Sequence, residues 1–115
     1  MAGISLTKLR DDVKHVRIQF GTDVLRLEVY PDRMTNEVLE RYVEAQENPK
    51  DYDAMAAAFN EFVVSWDLVE NDGDEEPLPI DGETFEHKIS IRVLNHIFAE
   101  VTEAVTPKSR KKSGR

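Results

Sequence analysis

Residues 15–30 read HVRIQFGTDVLRLEVY, and without them the chain would be taken as wholly helical. In HVRIQF, Val16, Ile18 and Phe20 alternate with Arg17 and Gln19, the two-residue period of a strand with one buried face. LRLEVY repeats the pattern, Leu25, Leu27 and Val29 facing one way and Arg26, Glu28 and Tyr30 the other. Between them, GTDV carries turn chemistry in Gly21 and Asp23, so the two runs are predicted to pair as a β-hairpin. A ribbon with a single apolar face is not stable alone in water. Helices have to cover it, and the rest of the chain supplies them.

After YPDRMT, Thr35 or Asn36 is placed to cap a helix through NEVLERYVEAQ, with Val38, Leu39, Tyr42 and Val43 on one face. Asn48 and Pro49 then read as an N-cap and a first-turn proline, with Asp51 at the third helical position, opening a second helix. Its apolar residues Tyr52, Met55, Ala56, Phe59, Phe62, Val63 and Trp66 follow the 3.6-residue period. This is the expected core helix, each large side chain contributing about 1.5–3 kcal/mol on full burial before entropy is charged. Ser90 is placed to cap a third helix, IRVLNHIFAEVTEAV, whose apolar stripe spreads over roughly 140°. Pro107 is expected to stop it. Ahead of it, DGETFEH suggests a short helical turn capped by Asp81 and pinned inward by Phe85 and Ile89.

The predicted class is therefore α+β: an N-terminal hairpin packed on about three main helices and a short helical turn. Residues 13–106 form one domain, preceded by a segment, 1–12, free to be flexible, and followed by a disordered basic tail, 107–115. A chain of 115 residues is long enough to bury roughly 65% of its unfolded surface around a single core. The stretch WDLVENDGDEEPLPI, residues 66–80, reads as an ordered connector. Trp66 and Leu68 anchor it, Asn71, Asp72 and Gly73 turn it, and Pro77 and Pro79 extend its exit. It does not fit a calcium EF-hand. Placing the required glycine at Gly73 puts Leu68 and Pro79 at positions that need side-chain oxygen.

Charge is unevenly distributed. All 23 acidic residues precede Pro107, where only ten of the 15 basic residues lie, so the body carries −13 and the tail +5. A body that negative repels phosphate backbones and argues against nucleic acid as the main partner. No apolar run is long enough for a signal or a membrane span, and none of the residues is cysteine. The expectation is a soluble, unexported protein in a reducing cytoplasm, without disulfides or thiolate chemistry.

Catalytic and metal chemistry is not legible. His15, His87 and His96 form no close ligand pair, and His96 reads as a half-exposed helix residue rather than a base. Ser65 and Ser90 lack the strand-to-helix context of an activated nucleophile, and there is no glycine-rich phosphate loop. The expected catalytic, cofactor and metal residues are none. Loose cation binding by Asp72, Asp74, Glu75 and Glu76 is the alternative to a plainly solvated acidic loop.

The order of YPDRMT after a hairpin, two helices, FVVSWDL, a DG, PLPI, a short turn and a final amphipathic helix resembles the tail assembly chaperones of long-tailed bacteriophages. The most specific part is WDL…DG…PLP, carried by Trp66, Asp67, Leu68, Asp72, Gly73, Pro77, Leu78 and Pro79. What the resemblance implies is a non-catalytic protein of the host cytoplasm, absent from the mature virion. It would bind the aggregation-prone tape measure protein and keep it soluble while tube subunits assemble around it. Family members commonly have a second, frameshifted product that recruits the tail tube protein. The adjacent lysines Lys111 and Lys112 are encoded by A-rich codons of the kind on which ribosomes slip, and a plain basic tail is the other reading. The last helix offers more apolar width than one neighbour needs. Phe98, Val101 and Val105 are thus the candidate client or self-association contacts, full burial of all three being the alternative. Two other functions fit the composition: a small acidic inhibitor that mimics DNA, and a nucleic-acid binder acting through the basic tail.

Overall fold

The structure, a computed structural model, describes residues 3–47 and 49–106. In chain order it contains α1 (Leu6–Arg10), β1 (Lys14–Phe20), β2 (Asp23–Val29), a 3-10 turn (Pro31–Arg33), α2 (Asn36–Ala45), α3 (Tyr52–Phe62), β3 (Val63–Trp66), α4 (Gly82–His87) and α5 (Ile91–Val105). It is an α+β fold. A three-stranded antiparallel sheet of order β1-β2-β3 shares one apolar core with α2–α5.

The hairpin forms as its alternation requires. Val16 pairs with Leu27 and Ile18 with Leu25, and all four are buried. Arg17, Gln19 and Arg26 point to solvent from the opposite face, the usual arrangement for an antiparallel sheet covered on one side. Phe20 pairs with Asp23, leaving a two-residue loop of Gly21 and Thr22. Gly21 has φ +63° and Thr22 a negative φ, the pattern of the II′ turn that matches strand twist.

Three helix caps sit where the sequence places them. Thr35 accepts from the Val38 amide at 3.3 Å, Asp81 from Thr84 at 2.8 Å and Ser90 from Val93 at 3.2 Å. The Thr84 amide, with the Thr84 hydroxyl, holds the Asp81 carboxyl below its usual range. Phe85 and Ile89 are buried, as the DGETFEH turn requires. The start of α3 differs from expectation. Asp51, not Asn48, is the cap: its backbone is non-helical, its carboxylate accepts from the Ala54 amide at 3.0 Å, and its own amide reaches back to the Ala45 carbonyl at 2.7 Å. That closure to the end of α2 holds Pro49 outside the helix. Asn48 itself, like the Pro107 stop and the tail, lies outside the described residues.

A larger correction concerns residues 63–66. The chain leaves the helix at Phe62 and continues as β3, pairing Trp66 with Leu27, Ser65 with Glu28 and Val63 with Val29. A bulge at Val64 adds one residue opposite the Glu28–Val29 step. Val63 and Trp66 therefore both face the core while Val64 and Ser65 face out.

At the centre of the core, the ring of Phe59 on α3 lies 5.1 Å from Phe85, 5.3 Å from Phe62, 5.4 Å from Tyr42, 6.2 Å from Trp66 and 6.3 Å from Phe98. Every helix from α2 to α5 contributes a ring to this cluster. The short α1 buries nothing. Arg33 ties its end to the domain, donating to the Arg10 carbonyl at 2.9 Å and to Asp11 at 2.8 Å while its guanidinium lies 3.9 Å over the Tyr30 ring.

Candidate partner-binding surface

The apolar face of α5 is wide because the helix has two neighbours. On one side, Phe98 stacks on Tyr42 of α2 at 4.1 Å, and the Tyr42 hydroxyl donates to Asn95 at 2.8 Å. Burial keeps that hydroxyl protonated, its pKa well above the usual range. On the other side, Lys14 of β1 donates to the Ala104 carbonyl at 3.0 Å and His96 meets Phe20 edge-on at 4.9 Å.

Of the three residues proposed from stripe width, Val101 is 0% exposed and belongs to the core with Leu94 and Ile97. It offers nothing to a partner. Phe98 and Val105 are half-buried, Phe98 within the aromatic cluster. Val101 thus follows the alternative of full burial, while Phe98 and Val105 keep the partial exposure expected of them.

Motif residues hold the two ends of the connector together. Asp67 extends the β2–β3 pairing: its amide donates to the Arg26 carbonyl at 3.1 Å and its carboxylate accepts from the Arg26 amide at 2.8 Å. Asn71 and Asp74 close a turn on each other, with Gly73 at φ +86°. Leu78 then returns to the strand, its amide donating to Leu68 at 2.7 Å and its carbonyl accepting from the Trp66 indole at 2.8 Å. Asn60 of α3 fixes the end by donating to the Ile80 carbonyl at 2.9 Å. Trp66 and Leu78 thus clasp a long excursion shut beside the outer edge of β3.

Among the described residues there is no group of three or more histidines, cysteines and carboxylates that could hold a metal ion. His15, His87 and His96 lie on β1, α4 and α5. His15 is 3.6 Å from Glu28 and His87 3.8 Å from Glu86, both at the surface. No helix of the described residues is long and apolar enough to cross a membrane.

The surface that sequence reasoning did not single out is the outside of α2. Val38, Leu39, Tyr42 and Val43 were expected on one inward face, but the helix is rolled so that Val38, Tyr42 and Ala45 are buried. Leu39 is left half-buried and Val43 is 56% exposed. With Glu40 and Glu44 they form an open patch on the outside of the helix. The signal was Ala45, seven residues after Val38 on the same face.

Comparison of the chain with protein-family models, with curated proteins and with solved structures returns no match.

Proposed function

We propose that this protein is a tail assembly chaperone of the long-tailed bacteriophage type. It binds the tape measure protein without transforming it and keeps it soluble in the host cytoplasm while the tail tube polymerises around it. A longer frameshifted product would recruit the tube protein, and neither would remain in the mature virion. The observation that carries this reading is the WDL…DG…PLP order. Five of its residues share one connector: Trp66 and Asp67 at the strand end, Gly73 in the turn, and Leu78 returning to bond Trp66 and Leu68. A motif spread over residues 66–79 that builds a single clasp is more specific than generic amphipathic helices. The acidic body supports the same role, since like charge keeps chaperone–client complexes apart.

The test is co-expression with the tape measure protein encoded in the same genome. The long chain is expected in the supernatant together with this protein and in the pellet without it. Aggregation in both cases would remove the proposal. The DNA-mimic alternative requires a one-sided carboxylate array. The solvent face of the sheet, which mixes Arg17 and Arg26 with Glu28, is not such an array.

A further inference from the structure

We infer that the outer face of α2, centred on Leu39 and Val43 and bordered by Glu40 and Glu44, is a docking surface for a basic amphipathic helix of a partner protein. That the partner is the tape measure chain rests on the function proposed above; the surface itself does not.

Among the described residues Val43, at 56%, is the most exposed large apolar side chain after the N-terminal residues Ile4 and Leu6. Leu39 lies one turn before it, so the two make a short i, i+4 apolar ridge. The charges beside this ridge are unfavourable in the isolated protein. Glu40 and Glu44 are also one turn apart and repel each other. Glu44 sits in the last turn of α2, at the negative end of the helix dipole, and no basic residue stands there to offset it. The single arginine of the helix, Arg41, is turned to Glu37 at 3.7 Å. Neither Glu40 nor Glu44 has an ion-pair partner among the described residues. Exposed valine, like-charge pair and misplaced acid all fall on one strip of helix, and nothing in the described fold compensates them.

Charge chooses the occupant. A second copy of the same face would set Glu40 and Glu44 against themselves, and nucleic acid or an anionic membrane would be repelled likewise. A helix with its own apolar ridge flanked by lysine or arginine would cover Leu39 and Val43 and neutralise both carboxylates, as in side-by-side helix pairing with flanking charges.

The experiment titrates the full chain with a synthetic helical peptide carrying leucines at i, i+4 and flanking lysines, and with a twin in which glutamate replaces lysine. Binding is read by amide shift mapping and fluorescence anisotropy. The lysine peptide is expected to shift residues 36–47. Glu40→Lys/Glu44→Lys is expected to weaken it about 10-fold or more, and Glu75→Lys/Glu76→Lys, the same change in net charge on the connector, less than about 2-fold. Replacing Glu44 removes an unfavourable charge, so the first variant should melt no lower than the parent. Equal weakening by both variants, equal binding of the glutamate twin, shifts elsewhere, or no binding would each overturn the surface. Co-expression separates the two proposals. A tape measure chain held in solution by Glu40→Lys/Glu44→Lys would remove that chain as the occupant of the surface and leave the function standing. Peptide binding at α2 with a client that the parent protein fails to hold would do the reverse.

Discussion

Gly82 has no room for a side chain. It opens α4 directly beneath Asp53 in the first turn of α3, and a methyl group there would overlap the Asp53 carboxylate, with its Cγ at 2.9 Å and the Asp53 Cα at 3.1 Å. Alanine in place of glycine in a helix ordinarily stabilises by roughly 0.5–1 kcal/mol. Here the sign should reverse: Gly82→Ala is expected to cost about 1–3 kcal/mol by overpacking. Chemical denaturation measures it, and Asp53→Ala added to Gly82→Ala should recover much of the loss by removing the carboxylate. An unchanged or raised midpoint in the single variant would show that the exposed Asp53 side chain turns aside without cost. Other residue-level features were legible beforehand because they are local. Thr35, Asp81 and Ser90 each cap a helix through an amide three positions on, a relation written within four consecutive residues. Gly82 was not legible, because its constraint comes from Asp53, 29 positions away in the sequence.

Element boundaries were legible only where the periodicity was unambiguous. The hairpin alternates cleanly over both runs and came through with its faces correct. β3 did not, and the bulge explains why. An uninterrupted strand would place inward residues two apart, but the extra residue at Val64 sets Val63 and Trp66 three apart. Three is also a helical spacing. It continued the series from Phe59 and Phe62, so the strand was indistinguishable from one more turn of helix. The adjacent β-branched pair Val63–Val64 was the contrary signal, favouring strand over helix. The pairing has a direct spectroscopic consequence. Because the Asp67 amide bonds the Arg26 carbonyl, Leu27 and Trp66 form the non-hydrogen-bonded pair next to it, with Cα atoms about 4.5 Å apart. A strong Hα–Hα Overhauser contact between Leu27 and Trp66 is expected in solution. Helical amide contacts through Val63–Trp66 would contradict the strand.

For the whole molecule, charge is the property most open to test. The chain carries −8, and truncation after Thr106 removes five cations and leaves −13. Self-repulsion opposes the compact state and is screened as the Debye length falls from about 30 Å at 0.01 M salt to 8 Å at 0.15 M. The thermal midpoint is expected to rise over that range, and to rise more steeply in the truncated protein. Equal slopes would mean that the tail cations do not act on the body. The candidate surface was the least legible part of the molecule. Its two apolar residues were expected to face inward, and only the roll of α2 about its axis, set by Tyr42 meeting Phe98 and Asn95 across the core, turned Val43 outward. A roll angle depends on the neighbours of a helix, not on its own sequence.

The chain contains one indole, and the fold has used it as a latch. Its emission is therefore tied to a single joint: whatever loosens residues 66–80 from the sheet wets that ring first, and denaturants, ligands and mutations alike will be seen in fluorescence through the state of the strap.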